Sequence, residues 1–401
     1  MAHPSLAAIV STLKTSIARE SLHERFTKPA VNFMLRCINF VMHQKVEKIP
    51  ELHTKLLKSF KRILILDSSC FNVHPMLKSL FPGCRSEANC KLQLCYEYLK
   101  GVISFFHLVP EKYTDSKYAA QIPNLIQSGD LFMADLGYFK LAAFRLIRKC
   151  GAHFLSRFFV GTGLFYQQNQ KPIDLYDILK KVTIDTFDIP VIMGSSPENQ
   201  VACRLIGMRV NEDITNQRRR KMKAKAKARK RASDKKHLYL AGWTLMVTSV
   251  PAELFPAETV RPIYGLRWQI ELVFKQLKSV MKIHEINTRK QARFQCQILG
   301  KLIVAIIIHT YHSELNSLCW NSSDKREVSM EKLYKRIQER ALRIHELIIE
   351  SIIKAIRFLE KELQRLLKYV YKNKQKSRKT SLELIDSLAD IEYQRFPNHF
   401  S

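Results

Sequence analysis

Glycine and proline are scarce in this chain of 401 residues, at 12 and 14, which excludes collagen-like, linker-rich and low-complexity disordered classes. Acidic residues are few as well: 36 Asp and Glu stand against 66 Lys and Arg, a formal charge of 66 − 36 = +30. That imbalance points to a polyanionic partner, nucleic acid or an anionic surface. Long apolar runs are missing. The longest, LIVAIIIH from Leu302, follows Lys301 and falls far short of the roughly 20 residues of a membrane span, so it reads as a buried helix and no membrane partner is expected. The first twenty residues lack a charged segment, an apolar stretch and a small-residue cleavage site in that order, so the chain is expected to stay in the cytoplasm. No CxxC pair occurs among nine cysteines, which fits reduced thiols, and Cys84, Cys90, Cys95 and His107 have the wrong spacing for the common zinc motifs.

What is present is enough apolar residue, 46%, to bury real cores in two or three domains. Residues 1–58 carry apolar positions at helical spacing (Leu6, Val10, Leu13, Ile17; then Phe33, Cys37, Val41) and read as a helical N-terminal region, either DNA-binding or simply packed. From Arg62 the pattern changes to ILILD, a branched apolar run ending in Asp67, as a buried central strand does. KLQLCYEY and VISFFHLV read as a hairpin turning at Leu99, Lys100 and Gly101. A helix over 116–127 follows, then LFMAD as a second short strand ending in Asp135. A helix from about Phe139 to Cys150 and a strand at HFLSRFFV complete a mixed α/β sheet over 59–160.

Residues 161–259 read as a β-rich insertion (DLYDILKKVTIDTF, ACRLIGMRV, HLYLAGWTLMVTS). Within it, Arg218 to Arg231 holds ten Lys or Arg in fourteen positions, a solvated, self-repelling loop by default and a phosphate-contacting one in use. Residues 260–325 hold an amphipathic helix and the Leu302 run. Residues 326–401 form a helical C-terminal region whose apolar stripe, Leu333 to Leu366, suits an oligomer contact or a packed hairpin.

The stretch IYGLRWQIELVFKQLK carries the chemistry. On one continuous helix Tyr264, Arg267, Glu271 and Lys278 fall at roughly 0°, 300°, 340° and 320°, a single stripe, while Leu266, Ile270, Val273, Leu277 and Val280 form a separate apolar face. An ordinary amphipathic helix with paired charges also gives this pattern. An Asp after a strand is commonly a turn former, and Gly137 after Asp135 fits that reading. Taken together, three carboxylates converging on one point could hold two divalent cations about 3.5 to 4 Å apart, the arrangement used for in-line phosphodiester chemistry.

Here the sequence resembles the DDE transposases of the bacterial insertion-sequence-4 family, whose Y-(2)-R-(3)-E-(6)-K signature is present without gaps as Tyr264, Arg267, Glu271 and Lys278. The family's first two acids match Asp67 in ILILDSS and Asp135 in ADLGYF, and the third matches Glu271. The resemblance spans roughly residues 60–290. It implies an α/β fold, an RNase H-like mixed-sheet catalytic core interrupted by a β-rich insertion. It also implies that Asp67, Asp135 and Glu271 are catalytic and bind two Mg²⁺ (or Mn²⁺). Hydrolysis at the transposon end would then be followed by attack of the freed 3′-hydroxyl on target DNA, through a hairpin in some members. By the same resemblance Tyr264, Arg267 and Lys278 contact DNA phosphates. Trp243, in a W-x-L-x-x-T-S context 28 residues before Glu271, is either a core residue or a platform for a flipped base. Arg218, Arg219, Arg220 and Lys221 are further expected DNA contacts. The implied partners are double-stranded DNA, both transposon ends and target, and a second copy of the chain in a homodimeric synaptic complex. A nucleoid-associated location follows from DNA binding. The competing classes are a catalytically silent DNA-binding relative and a metal-dependent DNA nuclease.

Overall fold

The computed structural model describes residues 17–43 and 55–350 except 85, 231, 233 and 321–326, together with isolated positions among 6–11, 351–373 and 383. The expected helical position Leu13 lies outside the described residues, as does most of the C-terminal region beyond residue 350. The chain is mixed α/β. Its strands are β1 (Arg62–Asn72), β2 (Asn89–Glu97), β3 (Val102–Pro110), β4 (Asp130–Ala134), β5 (His153–Arg157), β6 (Leu164–Tyr166), β7 (Thr186–Met193), β8 (Val201–Arg209) and β9 (Trp243–Thr248). Seven described helices reach nine residues: α1 (Lys28–His43), α2 (Leu141–Lys149), α3 (Glu212–Ala228), α4 (Ala257–Gly265), α5 (Trp268–Ser279), α6 (Gln291–Trp320) and α7 (Met330–Glu350).

Two compact units divide the chain. One comprises Met1–Thr54, Asp67–Tyr113 and Trp268–Ser387, and the other Lys55–Leu66, Thr114–Arg267 and Leu388–Ser401. In the second unit the strand order is β1-β4-β5-β9-β8-β7-β6, with β1, β4 and β5 parallel and the rest antiparallel. Ile63 to Leu66 and all of β4 are buried, as the unbroken apolar runs predict for central parallel strands. The β1–β4 register runs from Arg62↔Asp130 to Leu66↔Ala134. The 161–259 segment supplies β6 to β9, with helices between them.

In the first unit the β2–β3 hairpin turns where the sequence places it, and Gly101 sits at φ +69°, a left-handed conformation that glycine adopts without a Cβ penalty. The order there is β3-β2-β1. Helix α1 buries Val31 and Ile38 and packs on α6. By length and composition, the segment Gln291–Ser317 of α6 could cross a membrane, but half of it is buried in the protein, Leu302, Ala305 and Ile306 among the covered residues.

Two local expectations are corrected. The Arg218–Arg231 run is mostly helix, not loop: α3 reaches Ala228. Its Asn211 side chain caps Ile214 N at 3.0 Å, Glu212 and Asp213 sit in the first turn, Lys225 and Lys227 in the last, and Ala, Lys and Arg are strong helix formers. Likewise DLYDILKK contains a helix, Leu175–Lys181, capped by Asp174, rather than a strand.

Candidate functional site

The signature residues occupy two helices and the break between them. Helix α4, which carries Pro262, ends at Gly265; Leu266 and Arg267 form a turn; α5 begins at Trp268. This turn interrupts the continuous helix expected from the spacing. Tyr264 and Arg267 therefore belong to the second unit, and Glu271 and Lys278 to the first.

In the second unit, Asp135 follows β4 directly. Arg157, the last residue of β5, donates from Nη2 to Asp135 Oδ1 at 2.8 Å, with both side chains nearly half exposed. Burial pushes the Asp135 carboxyl up, but the backbone N–H of Leu136 and the charges of Arg157 and Arg267 outweigh it and hold the group below its ordinary value. Tyr264 Oη donates to Ala134 O at 3.1 Å, fastening α4 to the residue before Asp135. Burial pushes this phenol up, and Arg157 also hydrogen-bonds it. The Arg267 guanidinium lies 5.9 Å from the Tyr264 ring centre. Asp135, Arg157, Tyr264 and Arg267 thus form one cluster. Arg157 is not among the residues picked out from sequence, where its only sign is a cation closing the HFLSR strand.

In the first unit, Asp67 continues β1, and its Oδ1 accepts from Ser68 N at 2.8 Å. Glu271 lies in the first turn of α5, where the helix dipole favours an acid, and Lys278 lies in the last, where it favours a cation. Lys278 Nζ donates to Cys70 O of β1 at 3.0 Å. Ile270, Val273 and Leu277 are buried, as the apolar face predicts. The three acids are thus divided two and one between the units. Within either unit, among the described residues, no three His, Cys, Asp or Glu side chains are grouped to hold a metal. As a donor set, three carboxylates present hard oxygens only, which suits Mg²⁺ or Mn²⁺.

Trp243 opens β9 and is 5% exposed, tilted against Phe187 at 5.6 Å with the Arg209 guanidinium 4.8 Å from its ring centre. Gly207 makes room for the Phe187 ring, since a Cβ there would collide with it. Arg218 donates to Ala241 O, to Trp243 O and to Thr244 Oγ1, and Arg219 donates to Leu238 O and Glu212. Arg218 thus fastens α3 to the start of β9 and Arg219 fastens it to the short helix Lys235–Leu240, whereas Arg220 and Lys221 are exposed.

Residues 58–307 match the family described as Transposase DDE domain. The chain belongs to the DDE transposase family. Among its relatives are the transposase for insertion sequence element IS231F of Bacillus thuringiensis subsp. israelensis, 29% identical with 95% of this chain and 82% of that one covered, and the transposase for IS1151 of Clostridium perfringens, 26% identical with 95% and 84% covered. A solved piggyBac transposase synaptic complex with hairpin DNA is 10% identical with a TM-score of 0.40, over 94% of this chain and 77% of that one. The IS231 relatives fit the insertion-sequence-4 family to which the signature points. This DDE transposase is accordingly a DNA-acting enzyme of insertion-sequence transposition, dependent on divalent metal as its family is.

Proposed function

We propose that the chain is the cut-and-paste transposase of an insertion sequence, with an RNase H-like core in which Asp67, Asp135 and Glu271 hold two Mg²⁺ or Mn²⁺ ions. The observation that carries the reading is the β1–β4 register: its last pair is Leu66↔Ala134, and the next residue of each segment is one of the two family aspartates. The ungapped signature, with Glu271 opening α5, supports the third acid.

In the first step water attacks a phosphorus at the element's end, the P–O3′ bond breaks, and a 3′-hydroxyl and a 5′-phosphate result. In the second, that 3′-hydroxyl attacks a target phosphodiester, so one phosphodiester forms as another breaks and no external energy is consumed. When bound, the two cations activate the attacking oxygen and offset charge on the leaving one. Arg157 and Arg267 keep Asp135 ionised, and Tyr264 anchors the end of β4. Tyr264, Arg267 and Lys278 bind phosphates beside the cleaved bond, and Arg220 and Lys221 bind them along α3. Trp243 underlies this DNA-binding face as its packed support, and it stacks on a flipped base only where Arg209 moves off its ring. Two element ends must be processed together, so the working form is a homodimer in a synaptic complex, acting in the cytoplasm on nucleoid DNA.

The test is cleavage of a plasmid carrying the gene with its own flanks, with Mg²⁺ or Mn²⁺, by wild type, Asp67→Ala and Glu271→Gln. Metal-dependent cuts at fixed flanking sites, lost in both variants, and joined products are expected. Cutting without joining would indicate a nuclease, and tight binding without cutting a silent relative.

A further inference from the structure

Next to Lys278, in the first unit, lies an open groove of about 580 Å³ between the end of β1 and the last turns of α5. Cys70 and Asn72 of β1, Asn89 of β2, Lys275 and Lys278 of α5, and His284 line it. Its electrostatics are one-sided, because no acid is among the lining residues while two lysines and an imidazole are. Lys275 is exposed, whereas Lys278 is partly buried and already turned onto Cys70 O. Asn89 differs from the others. It is 7% exposed, and its Oδ1 is buried without a hydrogen-bond partner among the described residues.

A buried carboxamide oxygen without a partner costs about 1 to 3 kcal/mol, a cost removed when a water, an ion or a ligand group donates to it. Basic side chains lining an open groove together with one unsatisfied polar atom match the two parts of nucleic-acid recognition, phosphates that position and a base edge that specifies. A small anion would need neither a groove of this volume nor the amide.

We propose that this groove is the track for a DNA strand passing beyond the cleaved phosphodiester, with Lys275, Lys278 and His284 on successive phosphates and Asn89 as the reader of a base edge. The inference rests on the reading of the chain as a transposase and adds Lys275 and Asn89, which lie outside the signature, to its DNA contacts. Asn89 then contributes to discrimination between the element's end and unrelated DNA.

The experiment measures binding of the gene's flanking duplex and of an unrelated duplex across a salt series, without metal, for wild type, Lys275→Gln, Lys282→Gln and Asn89→Ala. Lys282 is a control, a neighbouring cation paired with Glu285 and outside the groove lining. Lys275→Gln is expected to weaken binding about 3- to 10-fold and to lower the slope of log K against log salt by about 0.9, the loss of one phosphate contact. Lys282→Gln should leave the slope in place. Asn89→Ala should keep the slope, keep or raise the melting temperature, and reduce the preference for the flanking duplex about 5-fold or more, the lower end of what one base contact discriminates. An unchanged slope in Lys275→Gln, or an equal loss in Lys282→Gln, would overturn the track. So would an Asn89→Ala protein that is folded and discriminates as wild type. Failure of the transposase reading is seen separately, as cleavage that survives Asp67→Ala.

Discussion

Arg157 and Asp135 are paired at 2.8 Å across the ends of two neighbouring parallel strands, β5 and β4. A carboxylate held ionised in this way is ready for a cation without first losing a proton. Because the pair is nearly half exposed, its contribution to stability is at most about 1 kcal/mol. Arg157→Ala should therefore leave the melting temperature within a few degrees while raising the Mg²⁺ concentration for half-maximal cleavage about 10- to 100-fold, as loss of a ligand-orienting partner does. Titrating cleavage against Mg²⁺ checks this, and an unchanged midpoint would remove Arg157 from the site.

Helix α3 separates two uses of arginine. Arg218 spends its guanidinium on Ala241 O, Trp243 O and Thr244 Oγ1, so Arg218→Ala should cost about 1.5 to 3 kcal/mol in urea unfolding and leave the salt slope of DNA binding nearly intact. Replacing Lys221, Lys223, Lys225 and Lys227 together by Gln should do the reverse, flattening the slope with little change in unfolding. A quadruple variant that keeps the wild-type slope would mean that these lysines of α3 do not touch DNA.

Trp243 is packed too closely for its removal to be silent. Trp243→Ala should lower stability by about 3 to 5 kcal/mol, the usual cost of emptying a large aromatic site, and reduce nicking and later steps together. Assaying the first nick and any hairpin product on the same substrate decides the matter. A folded Trp243→Ala protein that nicks normally and makes no hairpins would assign the ring to base stacking instead.

His309 and His312 of α6 are kept neutral, burial pushing the first down to about 3 and the second to about 4. His312 Nε2 donates to Val328 O at 2.9 Å. In the unfolded chain both protonate near the ordinary value of 6.5, so the stability they represent is complete above about pH 7 and is lost as pH falls from 6.5 toward 4. Each contributes up to about 1.4 kcal/mol per pH unit in that window. Urea unfolding at several pH values should show the combined slope, and His309→Phe should roughly halve it. A wild-type protein equally stable at pH 7 and pH 5 would contradict the burial of these rings.

The sequence by itself determined the buried apolar runs that lead into Asp67 and Asp135, the β2–β3 hairpin, the basic charge and the four signature residues, although β1 does not end at Asp67 and runs on to Asn72. Each of these is a local matter: an unbroken branched run, an alternation around Gly101, a fixed spacing. By charge repulsion the run from Arg218 reads as a loop, and the structure overturns that reading, with a cap at Asn211 and acids in the first turn supporting the helix. Tertiary structure alone decided the rest. Gly265 ends α4, so that Tyr264 and Arg267 join Asp135 while Lys278 turns to Cys70. Arg157 becomes a partner of Asp135 only because β5 lies beside β4, and Arg218 becomes a fastening only because β9 starts beneath it. Such pairings join residues many positions apart, and no periodicity along the chain records them, because they are set by which strands share hydrogen bonds.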